Sequence, residues 1–127
     1  MEHKESPGEA KIRKYLQKNK IEFIQEKQFK GLYNPCTKQP LRVDFWVPGH
    51  NTVIEYNGSQ HYKIGEKYHS KDPEVAACQL RDQKYRDFIK KLWCQIKEIK
   101  LLIITSYQFK QIEKILKQEL NEERKEN

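Results

Sequence analysis

Hydrophobic and polar residues follow two different periods along this chain, and these periods divide it into helices and strands. Residues 6–20 carry apolar side chains at Ile12 and Leu16, four positions apart, which indicates an amphipathic helix. Ser6 is followed by proline and, three positions after Ser6, by Glu9. This is the pattern of a helix start that a capping box closes, so a helix is predicted from Pro7 to about residue 20.

The next segments favour β-structure. Residues 21–29 predict a strand with an apolar centre, and residues 31–40, rich in turn-forming residues, predict a loop. Two runs of β-branched and aromatic residues, 41–47 and 52–56, flank the sequence Pro-Gly-His-Asn at 48–51. Such runs on either side of a turn predict an antiparallel hairpin.

The register of this hairpin predicts a pair of acids. A two-residue loop at the centre of the turn sets Phe45 opposite Ile54, and therefore Asp44 opposite Glu55. Opposed side chains share a face with their Cβ atoms about 4.5–5.5 Å apart, where like charges repel. A divalent cation between them removes the repulsion, and carboxylate oxygens suit Mg²⁺. The alternatives are a solvated acidic face, or a register shifted by one residue that separates the pair.

Basic residues concentrate near the hairpin. Residues 58–71 mix Gly, Ser, Lys, His and Tyr without a period, which predicts a long exposed loop beside the acids. Its lysines either contact phosphates or are simply solvated. Across this loop and the earlier one, the candidate phosphate-contacting residues are Lys30, Lys38, Lys63, Lys67 and Lys71.

A second helix is predicted from Asp72, as its N-cap, to about Ile96. Asp82 falls on the face that its apolar period predicts to pack inward, so it either pairs with a base or points at an active site. The expected apolar stripe comprises Cys78, Tyr85, Phe88, Ile89, Leu92, Trp93 and Ile96.

The C-terminal part completes an α/β pattern. Residues 100–105 form a continuous apolar run, typical of a strand covered on both faces. Because a helix separates this strand from the hairpin, the two are expected to be parallel neighbours joined by a crossover. A last helix is predicted to begin at Ser106 as its cap.

Composition narrows the class of partner. The 127 residues predict a single domain, with residues 1–5 and 121–127 frayed. Twenty-five Lys and Arg against 18 Asp and Glu give a formal net charge of +7, which favours a polyanionic partner and first of all nucleic acid. Three dispersed cysteines predict neither a disulfide framework nor a zinc ribbon. With no apolar run of membrane-spanning length and no signal pattern, an intracellular, soluble protein of the cytoplasm or nucleus is expected.

The predicted order is α-β-β-β-α-β-α, a mixed sheet flanked by helices with acids on the second and third strands. This order and these acids resemble the core of the PD-(D/E)xK, or restriction-endonuclease-like, superfamily. Val-Asp-Phe-Trp-Val-Pro at 43–48 and Ile-Glu-Tyr-Asn-Gly-Ser-Gln-His-Tyr at 54–62 are similar to one branch of it. That branch is related to very-short-patch repair endonucleases and to phage and giant-virus homing-type endonucleases.

The resemblance implies roles for particular residues. Asp44 and Glu55 would hold the metal, and Glu9 would be the helix acid that completes the site. His61, with Gln60, would orient the attacking water or act as general base. Arg81 and Asp82 match the helix pair of the branch. The implied catalytic residues are Glu9, Asp44, Glu55, Gln60, His61 and Asp82, and Arg81 joins the lysines as a nucleic-acid contact.

The implied activity is hydrolysis of DNA phosphodiester bonds with Mg²⁺, for which Mn²⁺ would substitute, by a phage- or virus-type enzyme that acts alone or as a homodimer. Asn57 departs from the pattern, because the superfamily has a lysine and this branch an aspartate two positions after the glutamate. An amide is no base, which leaves open whether one or two metals act. Two alternatives also stay open: a junction-resolvase-like nuclease, and a DNA-binding module with weakened catalysis.

Overall fold

The computed structural model describes residues 4–58 and 72–121, which form four strands and three α-helices. Short 3₁₀ turns at Pro48–His50 and Ser106–Gln111 connect some of them. The structure confirms the α/β class and a mixed sheet with helices. In chain order the elements are α1 (Pro7–Lys18), β1 (Ile24–Tyr33), β2 (Pro40–Val47), β3 (Thr52–Asn57), α2 (Pro73–Ile96), β4 (Lys100–Thr105) and α3 (Ile112–Asn121).

The four strands form one sheet in the order β1-β2-β3-β4. β1 and β2 are antiparallel, as are β2 and β3, whereas β4 runs parallel to β3 after the α2 connection. Phe45 lies opposite Ile54, so the predicted hairpin register is confirmed. The turn is a 3₁₀ turn over Pro48–His50, and the N–H of Asn51 donates to the carbonyl of Pro48 at 3.1 Å.

Two apolar clusters pack on the sheet, and the adjacent β3 residues Val53 and Ile54 belong to different ones, because neighbouring strand residues face opposite sides. The first joins the sheet to α1 and α3 and includes Ile12, Leu16, Phe45, Val47, Ile54, Ile104, Ile112, Leu116 and Leu120. The second lies under α2 and includes Leu32, Leu41, Val43, Val53 and Cys94. The sheet is thus a middle layer between two helical layers.

The helix starts follow the predicted chemistry with one exception. In α1 the Ser6 hydroxyl accepts from the Glu9 N–H, and the Glu9 carboxylate accepts from the Ser6 N–H. Asp72 caps α2 as expected. For the last helical segment, Thr105 is the N-cap and Ser106 is already helical, because the Gln108 side chain accepts from the Thr105 N–H.

The first strand is longer than the sequence predicts. β1 starts at Ile24 and continues to Tyr33, so the expected loop at 31–40 shrinks to the six residues between β1 and β2. Gly31 has φ +93°, a conformation that favours glycine, and the pairing of β1 with β2 shifts between Gln28 and Tyr33. This irregularity lets the strand continue through residues that resemble a loop.

The prediction for the inward face of α2 was right only in part: Ile89 and Trp93 pack against the second cluster, as predicted, but other members of the stripe do not. Phe88 and Ile96 are 56% and 69% exposed, and Asp82 is exposed too. Ala76 and Cys94 are instead the buried residues of this helix. Only part of the apolar stripe therefore faces the sheet, because charged residues of the same helix, among them Arg86 and Lys90, border a cavity.

Within the described residues, no helix has both the length and the apolar character that a membrane span needs.

Candidate metal centre

Asp44 and Glu55 are held side by side by each other's strands. The N–H of Asp44 donates to Oε2 of Glu55 at 2.7 Å, and the N–H of Tyr56 donates to Oδ2 of Asp44 at 2.8 Å. The carboxylates thus replace backbone carbonyls as acceptors beyond Phe45 and Ile54, the last directly paired residues of these two strands. Two backbone N–H groups fix the acids in adjacent positions, and Glu55 is only 6% exposed.

Glu9 reaches the same place from the first turn of α1. One of its carboxylate oxygens accepts from the Ser6 N–H at 2.9 Å, which fixes the side chain at the helix start. Carboxylate oxygens of Glu9, Glu26 and Asp44 lie within 4.8 Å of one another. We refer to Glu9, Glu26, Asp44 and Glu55 together as the carboxylate centre.

The position of α1 depends on a glycine. A Cβ atom on Gly8 would lie 2.1 Å from a ring carbon of Tyr56, far inside van der Waals contact. Gly8 therefore lets the start of α1 lie directly on β3. This contact brings Glu9 close to the acids of the sheet.

Glu26 comes from β1, opposite Asp44. Its neighbours Gln25 and Lys27 pair with Phe45 and Val43, so the intervening residues face each other. Glu26 has φ +57°, and it is the only non-glycine residue with positive φ inside a described strand. Such a conformation costs on the order of 1–3 kcal/mol and concentrates at functional sites.

The amine of Lys90 balances part of this negative charge. Nζ of Lys90, on α2, lies 3.1 Å from Oε1 of Glu55, and the two side chains are 16% and 8% exposed. Because both partners are buried, their attraction is screened less than that of a surface pair. Arg42 lies 3.4 Å from Glu26 as a second, more exposed cation, so four carboxylates stand beside these two positive charges.

The pKa values of Asp44 and Glu55 reflect this excess of negative charge. Burial raises the pKa of Asp44 well above its usual range, and the negative charges of Glu55 and Glu9 raise it further, against the Tyr56 N–H and Lys90. Burial also raises the pKa of Glu55, although Lys90 and the Asp44 N–H oppose the shift. An additional cation would relieve both shifts, and a set of carboxylate oxygens suits a hard divalent ion such as Mg²⁺.

A cavity of about 600 Å³ adjoins the carboxylate centre and lies between α2 and the β1–β2 hairpin. From α2 it is lined by Asp82, Arg86 and Lys90, spaced four residues apart on one helix face. From the hairpin it is lined by Glu26, Asn34, Cys36, Thr37, Gln39, Pro40, Leu41, Arg42 and Asp44, and Tyr85 completes the α2 wall. This cavity, called the α2 cavity below, gives access to Asp44.

The structure brings together some of the predicted site residues and separates others. Asp44, Glu55 and Glu9 meet, and Asp82 stands on the wall of the α2 cavity instead of being buried. Arg81 is exposed and donates to the Cys78 sulfur at 3.0 Å, outside the cavity lining. Lys30 and Lys38 line a separate shallow hollow at the end of the hairpin. Outside the described residues lie Gln60, His61, Lys63, Lys67 and Lys71.

Glu26, in the carboxylate centre, and Lys90, beside it, were not predicted as site residues. Lys90 follows Asp82 and Arg86 at four-residue intervals, a charged row on one helix face that the sequence does show. For Glu26 the sequence contains no comparable signal, because its place depends on an irregular strand pairing. Both residues enter the centre through neighbouring elements, α2 and β1.

The fold and this centre define an α/β protein with a buried cluster of carboxylates beside an open cavity. The chain is 34% identical over 116 residues to the uncharacterized protein 094L of Frog virus 3 (isolate Goorha), covering 91% of this chain and 72% of that protein. It therefore belongs to the same family as protein 094L. No family model matches the chain, and no solved structure matches it.

Two further relatives are also viral. The uncharacterized protein 033L of Invertebrate iridescent virus 3 is 32% identical over 91 residues, which cover 71% of this chain and 44% of that protein. The uncharacterized protein 307L of Invertebrate iridescent virus 6 is 29% identical over 116 residues, covering 80% and 56%. The chain thus spans about half the length of these two relatives.

Proposed function

We propose that this protein is a Mg²⁺-dependent DNA endonuclease that hydrolyses phosphodiester bonds at the carboxylate centre. The observation that carries the proposal is the convergence of Glu9, Glu26, Asp44 and Glu55 in a buried place where the pKa of Asp44 is strongly raised. A cluster of acids held against its own repulsion calls for a cation. Hydrolysis of phosphate esters is a common use of such a cation.

The finer fold assignment is part of this proposal. We assign the sheet and its helices to the restriction-endonuclease-like core, because two acids on adjacent strands and one acid on the first helix meet as that resemblance implies. The viral source of the relatives agrees with the phage- and virus-type branch that the motifs resemble. A viral DNA enzyme of this kind would act inside the host cell.

Bound Mg²⁺, with Mn²⁺ as a substitute, would polarise the scissile phosphate and lower the pKa of a water molecule. Asp44, Glu9 and Glu26 offer oxygens for it, and two backbone N–H groups keep Asp44 and Glu55 in place. Lys90 lies beside Glu55, so its ammonium group would stabilise negative charge that develops on the phosphate.

Lys90 also offers a substitute for the superfamily lysine that Asn57 replaces. Asn57 takes the position two residues after Glu55 and is largely buried on β3, opposite Thr105. The amine that the superfamily has at this position is present from α2 instead, 3.1 Å from Glu55. This arrangement favours an active enzyme over a DNA-binding module without catalysis.

DNA is the proposed partner because the chain is strongly basic and because two arginines border the acids. Arg42 and Arg86 both line the α2 cavity, and Arg42 lies 3.4 Å from Glu26. Guanidinium groups bind phosphate through paired hydrogen bonds. They would hold the strand next to the carboxylate centre, which cuts one strand at a time.

The proposal is tested by incubating supercoiled plasmid with the purified protein in Mg²⁺, in Mn²⁺ and in EDTA, alongside Glu55→Gln. Glu113→Gln is the matched control, because Glu113 is an exposed acid on α3. We expect nicking in both metals, none in EDTA, and none with Glu55→Gln while the control stays active. Equal nicking by Glu55→Gln contradicts the site, and DNA binding without cleavage in either metal favours the binding module. Linear product without a nicked intermediate would indicate a homodimer.

A further inference from the structure

A contact between the hairpin and α2 closes the α2 cavity along one edge. The sulfur of Cys36, on the loop between β1 and β2, lies 3.8 Å from the hydroxyl of Tyr85 on α2. Both residues are exposed, so this contact joins the hairpin to the helix at the outer edge of the cavity. A continuous groove, into which a long ligand could be laid from the side, would lack this connection.

The pocket has the dimensions of a single ligand. Its volume of about 600 Å³ lies within the range of pockets that enclose one small molecule. Tyr85 precedes Lys90 by five residues, which corresponds to about 7.5 Å along a helix axis. The space between the Cys36–Tyr85 contact and the Lys90–Glu55 pair therefore admits one or two nucleotides but not a base-paired duplex.

Glu26 and Asp44, two acids of the centre, line this space, so a phosphate that binds to them would lie in it. Glu55 and Glu9 are only 6% and 7% exposed, and Asp44 is partly buried at the pocket wall. In a continuous duplex, each nucleotide is held by its pairing and stacking, and bringing it into a pocket requires breaking both. An unpaired nucleotide requires much less.

The walls carry the groups that bind a nucleotide. Tyr85 is 36% exposed and contributes an aromatic ring, on which any base can stack. Gln39 contributes an amide with both a donor and an acceptor, next to a loop that Asn34 fixes by accepting from the Cys36 N–H at 2.9 Å. Arg86 and Lys90, on the α2 wall across from Gln39, provide positive charge for phosphate.

We propose that the α2 cavity receives one unpaired nucleotide, with its base against Tyr85 and Gln39 and its phosphate toward Asp44 and Lys90. The substrate class is then DNA that contains an unpaired nucleotide at the scissile bond. This inference rests on the proposed nuclease function. It is compatible with nicking of supercoiled plasmid, since negative supercoiling favours local opening of the duplex.

The test compares three end-labelled oligonucleotides of one sequence: a continuous duplex, the duplex with one unpaired nucleotide in the labelled strand, and the labelled strand alone. Cleavage is measured in Mg²⁺. Binding is measured separately by fluorescence anisotropy with Asp44→Asn, which removes a charge beside the phosphate and prevents cleavage. Tyr85→Ala removes the ring and Tyr85→Phe retains it, and Tyr107→Ala, an exposed tyrosine outside the cavity lining, is the matched control.

We expect the two substrates with unpaired nucleotides to be cleaved at least tenfold faster than the duplex. Loss of a stacking partner should slow this cleavage about tenfold in Tyr85→Ala, with Tyr85→Phe and Tyr107→Ala near wild type. Equal cleavage of the duplex, or full activity of Tyr85→Ala, overturns the pocket while leaving the nuclease intact. No cleavage of any substrate, together with Tyr85-dependent binding of unpaired DNA, refutes the nuclease but supports the pocket. Absence of both refutes both.

Discussion

Asp44→Asn removes one negative charge from the carboxylate centre and preserves the side-chain shape and an oxygen acceptor for the Tyr56 N–H. The oxygens of Glu9 and Glu26 lie within 4.8 Å of Asp44. At this distance, two like charges repel by about 3.5 kcal/mol with an effective dielectric constant of roughly 20. Lys90 offsets part of this repulsion. We therefore expect Asp44→Asn to increase the metal-free free energy of unfolding at pH 8 by about 1–3 kcal/mol.

The difference should depend on pH in a defined direction. The pKa of Asp44 in the folded protein is raised above 3.8, mainly by burial, so the folded state retains a proton that the unfolded state releases. The stability that this proton provides is complete below pH 3.8 and is lost as the pH rises through the folded-state pKa. Asp44→Asn should thus resemble wild type near pH 4 and become the more stable protein as the pH rises.

Mg²⁺ should reverse this order. A ligand that binds only the folded state stabilises it, so Mg²⁺ should raise the melting temperature of wild type and of the control Glu113→Gln at pH 8, but not that of Asp44→Asn. The assay is thermal denaturation followed by circular dichroism, where 1 kcal/mol corresponds to about 4 °C for a domain of this size. Lower metal-free stability of Asp44→Asn at pH 8 would show that the charge of Asp44 does not destabilise the fold, and equal stabilisation of both proteins by Mg²⁺ would show that Asp44 does not bind the ion.

Three further predictions concern the surroundings of the centre. Gly8→Ala places a Cβ 2.1 Å from the Tyr56 ring, so the ring or α1 must shift; we expect a loss of about 1–3 kcal/mol in denaturant unfolding and a higher Mg²⁺ requirement for nicking. An unchanged requirement would argue against placement of Glu9 by this contact. Lys90→Met leaves Glu55 buried without its cation, so we expect the free energy of unfolding to fall by about 3 kcal/mol at pH 8 but little at pH 4, where Glu55 is protonated. Equal losses at both pH values would refute the pairing. Burial and the charge of Glu55 raise the pKa of Cys94 to about 11, so at pH 8 a maleimide should label the other two cysteines quickly and Cys94 only after unfolding. Mass spectrometry counts the labels, and rapid labelling of all three in the folded protein would contradict the burial of Cys94.

The pairing of Asp44 with Glu55 could be predicted from the sequence because the turn that sets it is short. Four residues connect β2 to β3, and the strands on both sides pair without a shift. Counting outward from such a turn gives the partner of every residue. Local chemistry was equally informative at α1, where the capping box fixes both the helix start and the place of Glu9.

The position of Glu26 could not be obtained in the same way. Counting outward from the pair Tyr33 and Pro40 would set Phe29 opposite Asp44. The pairing shifts between Gln28 and Tyr33, so Glu26 takes that place instead. A strand irregularity of this kind depends on tertiary packing and leaves little trace in the residue pattern.

The inward face of α2 could not be predicted in full for a different reason. Its apolar residues have a helical period, yet the period gives only a face and not its partner. In the structure Phe88 and Ile96 point outward, while Arg86 and Lys90 border the cavity. A helix that lines a cavity presents polar groups to it, so the pattern identified the inward residues Ile89 and Trp93 but not the rest of the inward face.

We propose that the carboxylate centre binds the metal with which the protein cleaves DNA. This is tested by the initial nicking rate against Mg²⁺ concentration for wild type, Glu26→Gln, Asp44→Asn and the control Glu113→Gln, purified in parallel. We predict saturable curves for wild type and control, a curve shifted to higher Mg²⁺ for Glu26→Gln, and no cleavage by Asp44→Asn at any concentration. A rate independent of Mg²⁺, or a wild-type curve from Asp44→Asn, would contradict the claim.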